Sequence, residues 1–92
     1  MASKGEGERV LRELRERIAA LDDELLRILN RRIGLVRELK EHKTAHGLDF
    51  VDRAQEERLV ERLVAENRGP LSEEGLRALY AKLLELVKRE AS

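Results

Sequence analysis

From about Glu8 onward, apolar side chains recur every three or four residues: Leu11, Leu14, Ile18, Leu21, Leu25, Ile28, Leu29, Ile33, Val36 and Leu39. That spacing marks one face of an α-helix. Gly34 is the one glycine inside the run, and no proline interrupts it before Gly47. The pattern therefore predicts a single helix of roughly 35 residues, ~50 Å long at 1.5 Å per residue. A compact chain of 92 residues has a radius of gyration near ~12 Å. A helix that long leaves much of its apolar stripe wet unless a second chain covers it. A symmetric dimer is the simplest cover.

A break follows at Thr44 to Asp49, with His46-Gly47 as the turn. Asp52 with Gln55 three residues later has the spacing of a capping box and predicts the start of a second helix. Leu59, Val60, Leu63 and Val64 give that helix its buried face, and Asn67-Arg68-Gly69-Pro70 ends it with turn chemistry. Ser72 caps a third helix, whose positive N-terminal end suits Glu73 and Glu74. Its apolar face is Leu76, Leu79, Tyr80, Leu83, Leu84 and Val87. Ahead of all three, Met1 to Gly7 reads as a flexible leader. Ser3 and Glu6 have capping-box spacing there, but Gly5 and Gly7 oppose a helix. Residues 8–92 read as one all-α domain. No internal repeat or low-complexity segment is visible.

Composition narrows the function classes. Leu, Glu, Arg, Ala and Lys dominate, and all are good helix formers. Lys plus Arg equals Asp plus Glu at 19 each, so the formal net charge is zero. That balance argues against a nucleic-acid binder. The chain has no cysteine, which removes disulfides, thiolate metal sites and cysteine nucleophiles. Its two histidines, His42 and His46, have a metal-binding spacing but no third histidine, and read as solvated or capping side chains. Aromatic residues at 2% leave little for base stacking. No run is apolar enough for a membrane span, and no signal peptide opens the chain. The expectation is a cytoplasmic protein with no metal and no cofactor.

Most charges on such a chain are solvated or paired along a helix. Glu8–Arg12, Glu13–Arg17, Asp23–Arg27 and Glu85–Arg89 all have the (i, i+4) spacing. Arg32 and Lys43 stand apart from these. Eleven residues at 100° each return them to nearly one face, ~16 Å apart along the axis, where two long cationic side chains can lean on one small anion. Arg15 is ~25 Å from Arg32 along the helix and on a different face, so the two cannot grip one small ligand within a chain. Arg15 of an antiparallel partner can.

At the level of motifs, the chain resembles the all-helical (AroQ-type) chorismate mutases over Leu11 to Glu90. Leu14-Arg15-Glu16-Arg17-Ile18 followed by Leu21-Asp22 is similar to the family's opening motif. Leu25-Leu26-Arg27-Ile28-Leu29-Asn30-Arg31-Arg32 is similar to its second, with the functional arginine at Arg32. Lys43 falls at the family's lysine, and Asp52 to Glu56 resembles the start of its second helix. The Gly69-Pro70-Leu71 turn and the Leu79-Tyr80 to Leu83 spacing also fit.

The resemblance implies an intertwined homodimer with two shared sites and the rearrangement of chorismate to prephenate, a step of aromatic amino-acid biosynthesis. It assigns Arg15 of the partner chain and Arg32 to the substrate carboxylates, Lys43 to the ether oxygen, and Glu56 with the backbone near Asp52 to the ring hydroxyl. The reaction is unimolecular, so no cofactor is implied. A synthase of the shikimate pathway is the implied protein partner. The chain departs from the family pattern in places. Gln55 stands where the family commonly has arginine, with Arg53 as a nearby substitute. Val87 stands where the family has a small hydroxyl residue, and Ala91 where it has glutamine, with Glu90 one residue short. A protonated Glu90 donating to the ether oxygen would favour activity at lower pH. These departures keep open isochorismate pyruvate lyase and a mutase of amino-substituted chorismate. A non-catalytic regulatory module, and a plain helical dimerisation protein should Arg32 and Lys43 be exposed, are the further alternatives.

Overall fold

The structure is a computed structural model and describes residues 3–92. Among the described residues there are three helices and no strand: α1 (Lys4–Ala45), α2 (Arg53–Glu66) and α3 (Glu73–Glu90). The chain divides into two compact units, one ending at Arg31 and the other spanning Arg32–Ser92.

In the first unit α1 begins earlier than the apolar pattern predicts. Ser3 Oγ accepts the Glu6 backbone N–H at 3.1 Å, and the Gly7 N–H reaches the Ser3 carbonyl at 3.0 Å. The first occupies an N-terminal donor that otherwise lacks a partner, the second is the opening bond of the helix, and together they offset the helix penalty of Gly5 and Gly7. Lys4–Gly7 of the expected leader are thus helical, while Met1 and Ala2 lie outside the described residues. No side chain of α1 is buried. Leu11, Leu14, Ile18, Leu21, Leu25 and Ile28 form one exposed apolar stripe, with Leu25 at 65% of its full exposure.

The second unit holds the last turns of α1, a loop, α2 and α3. The first break falls at Gly47, whose φ of +67° is a left-handed conformation that favours glycine. The Leu48 N–H closes the turn onto the Lys43 carbonyl at 2.7 Å. Asp52 caps α2 by accepting the Gln55 N–H at 3.1 Å. The reciprocal half of the predicted capping box is replaced by another bond. Gln55 Oε1 instead accepts from the Arg58 guanidinium at 2.9 and 3.3 Å. A second turn, with Gly69 at φ +74°, is braced by Asn67, which donates to the Leu71 carbonyl at 2.7 Å and accepts the Gly69 N–H at 3.0 Å. Ser72 then caps α3 through the Gly75 N–H at 3.0 Å.

Helices α2 and α3 pack on each other. Leu76, Val87 and Ala91 are buried, and Leu59, Val60, Leu63, Val64, Tyr80, Leu83 and Leu84 are half-buried. Leu79 shares their predicted face but stays largely exposed. Arg37 of α1 donates to the Glu90 carbonyl of α3 at 3.1 Å.

None of the four expected surface pairs occurs among the described ion pairs. Glu13 meets Arg9 at 4.0 Å instead, and Arg62 meets Glu66 at 3.1 Å. Exposed pairs are held by little energy, so spacing alone does not select one. Arg77 bridges Glu61 at 3.0 Å and Glu73 at 3.7 Å. Its hydrogen bond to Glu61 raises the guanidinium pKa further, so it stays charged throughout the accessible pH range.

Candidate active site

Within the second unit lies a cavity of about 240 Å³. The last turns of α1 give it Arg32, Val36, Leu39 and Lys43. The loop gives Phe50 and the α2 cap gives Asp52. Helix α2 gives Gln55, Glu56 and Leu59, and α3 gives Leu84, Val87 and Lys88. The α1 members recur every three or four residues and so share one face. Apolar walls of this kind weaken solvent screening and make the few charges among them count for more.

Apart from Arg32, each polar side chain lining the cavity makes a described hydrogen bond. Lys43 is half-buried, and its Nζ donates to the Phe50 carbonyl at 3.3 Å. That bond ties the end of α1 to the loop, and both residues line the cavity. The Phe50 ring in turn lies 5.6 Å from Lys40 Nζ, within cation–π range. Asp52 spends one oxygen on the α2 cap. Glu56 and Lys88 form an ion pair at 2.9 Å, both partly buried. Three cations face the cavity against two carboxylates; the Glu56–Lys88 pair cancels, leaving Arg32 and Lys43 against Asp52. Such a site suits a small anion with an apolar body.

Six of the residues singled out from the sequence line this cavity: Arg32, Lys43, Asp52, Gln55, Glu56 and Val87. Three do not. Arg15 belongs to the first unit, where it is exposed beside Leu11, Arg12 and Ala19. Arg53 is exposed and lines an adjoining groove with Glu57, Glu61 and Arg77; the groove shares Glu56 and Leu84 with the cavity but does not bring Arg53 into it. Two helical positions turn it about 200° from Gln55, so it does not stand in for an arginine there. Glu90 is exposed and only its carbonyl is engaged, by Arg37. It sits about 200° around α3 from Lys88, away from the cavity. The low-pH preference expected from a donating Glu90 therefore has no basis in this geometry. Ala91, at the implied glutamine position, is buried at 2% exposure.

Lys88 is the site residue that sequence reasoning missed. Its signal was present. Lys88 follows Leu84 by four residues, so both lie on one face of α3. Val87 is 1% exposed and turns mainly into the core.

The histidines do not join the site. His42 and His46 are exposed, with ring centroids 4.4 Å apart. Among the described residues no group of three or more His, Cys, Asp or Glu is arranged to hold a metal ion. No helix there is long and apolar enough to cross a membrane.

Residues 14–91 match the model of one protein family, chorismate mutase type II. The chain belongs to that family, a class of all-helical isomerases. Two solved structures of chorismate mutase from Thermus thermophilus share its fold. Form I is 32% identical, covering 84% of this chain and 96% of that one, with a TM-score of 0.82. Form II is 31% identical, covering 88% and 92%, with a TM-score of 0.84. A comparison with curated protein sequences gave no match.

Proposed function

We propose that this protein is a chorismate mutase, converting chorismate to prephenate in the cytoplasm on the route to phenylalanine and tyrosine. The observation that carries the reading is the pair Arg32 and Lys43, set on one face of α1 against an apolar cavity with Glu56 on its α2 side. The reaction breaks a C–O bond and forms a C–C bond within one molecule, so it needs no nucleophile. Rate comes from holding the substrate in its compact reactive conformer and from stabilising charge that grows on the ether oxygen. Arg32 binds one substrate carboxylate by a bidentate, charge-assisted contact. Lys43 donates to the ether oxygen, where its fixed positive charge is worth more in the transition state than in the ground state. Glu56 accepts the ring hydroxyl.

The second carboxylate is met by Arg15 of a partner chain. The exposed stripe on α1 supports this reading, because a homodimer that buries it also brings another Arg15 into play. An aldolase-type synthase of the shikimate pathway is the partner protein we infer beyond the dimer.

The test is direct. Purified protein is incubated with chorismate and the product is identified by NMR. Prephenate formed above the uncatalysed rate supports the reading. Its absence refutes it. Saturable binding of chorismate without turnover would indicate a regulatory module, and turnover of isochorismate instead would indicate the lyase. Val87 favours trying isochorismate second, since it offers no hydrogen bond at the α3 position where the family has a hydroxyl.

A further inference from the structure

The Glu56–Lys88 pair differs from the other described ion pairs. Its side chains are 29% and 33% exposed, whereas every other paired side chain is at least 42% exposed. It also joins residues 32 apart in sequence, tying α2 to α3 at the cavity wall. A pair shielded to this degree is screened less by water and salt than those on the surface.

The cavity gives this bond a task. A dianionic ligand between Arg32 and Lys43 also faces the Glu56 carboxylate, which repels it. Gln55 is neutral, and its Oε1 is engaged by Arg58. Arg53 lines an adjoining groove that Glu56 also lines, but the ion pair of Glu56 is with Lys88. Apart from Arg32 and Lys43, Lys88 is the one cation lining the cavity among the described residues. It touches Glu56 directly at 2.9 Å.

We propose that Lys88 is a positioning residue for Glu56: its ammonium fixes the carboxylate as an acceptor for the substrate's ring hydroxyl and offsets its charge against the substrate carboxylates. This inference rests on the mutase reading above. An acceptor that holds the hydroxyl equally in ground and transition states acts on KM rather than on kcat.

The experiment is a double-mutant cycle on chorismate kinetics, with helicity checked by circular dichroism. It uses wild type, Lys88→Met, Lys88→Arg, Glu56→Gln and the Lys88→Met/Glu56→Gln double variant. Lys88→Met raises KM about tenfold, as expected for loss of a charge-assisted hydrogen bond, and changes kcat less than about threefold. Lys88→Arg keeps the charge and recovers most of the affinity. In the Glu56→Gln background Lys88→Met changes kcat/KM by less than about threefold, because a neutral amide needs no counter-ion. Equal losses in both backgrounds, or an unchanged KM in Lys88→Met, overturn the proposal while leaving the mutase reading intact. If wild type itself shows no turnover, the mutase reading fails and this proposal fails with it. Should Lys88→Met lose helicity, Lys88→Gln takes its place in the cycle.

Discussion

The proposed dimer makes Leu25 a sensitive position. In the single chain it is 65% exposed, and the helix that carries it has no buried side chain. Full burial of a leucine side chain is worth about 1.5–3 kcal/mol, so covering the exposed two-thirds adds ~1.5 kcal/mol per chain. A two-fold interface counts the residue twice, giving about 3 kcal/mol per dimer, or roughly a hundredfold in Kd. Leu25→Ala is therefore expected to weaken the dimer by about that factor. Leu25→Glu weakens it further by placing a carboxylate in an apolar seam. Alanine and glutamate are both good helix formers, so α1 keeps its helicity. Sedimentation equilibrium across a wide concentration range reads the Kd, and circular dichroism checks the helix. Specific activity falls on the same concentration scale if the site needs a second chain. A Leu25→Glu protein that dimerises like wild type refutes the reasoning, as does a wild type that stays monomeric at every concentration.

Other outcomes follow from the same geometry. Arg15→Ala and Arg32→Ala chains, each inactive alone, regain activity when mixed, because one site per heterodimer is intact. No rescue, with heterodimers shown to form, would contradict shared sites. Lys43→Ala is expected to lower kcat by about 10²–10³, the usual loss for one preorganised donor at a developing anion. A loss below tenfold would remove Lys43 from the ether oxygen. Ser72→Ala deletes the α3 cap and costs ~1 kcal/mol, roughly 4–8 °C in Tm for a domain of this size. Ser72 does not line the cavity, so kcat measured below the transition stays at the wild-type value.

Local signals are readable in the sequence where they act within a few residues. The caps at Asp52 and Ser72, the turn at Gly47 and the Arg32/Lys43 face all follow from spacing and side-chain chemistry. The start of α1 is harder to read, because two glycines argue against a helix while one serine hydroxyl argues for it, and the hydroxyl prevails. On α3 the difficulty is rotational. A shift of one residue turns a side chain by 100°, and that separates Val87, which is buried in the cavity wall, from Lys88, which brings its charge to the cavity. Helical periodicity places the apolar face to within about one residue, which is too coarse to say which edge of it meets another helix. The Glu56–Lys88 bond is beyond reach for a related reason, since the packing of α2 on α3 brings those residues together. The surface pairs fail for want of energy. Several partners at (i, i+4) are nearly equivalent in water, and spacing cannot rank them.

The bare first turns of α1 carry a consequence for how the protein comes together. In the proposed dimer, a segment with no interior of its own draws its persistence from mass action, so its final ordering is a second-order event. Amide hydrogens from Arg9 to Arg31 should exchange faster as the solution is diluted. Those in the cores of α2 and α3 should exchange at a rate less dependent on dilution.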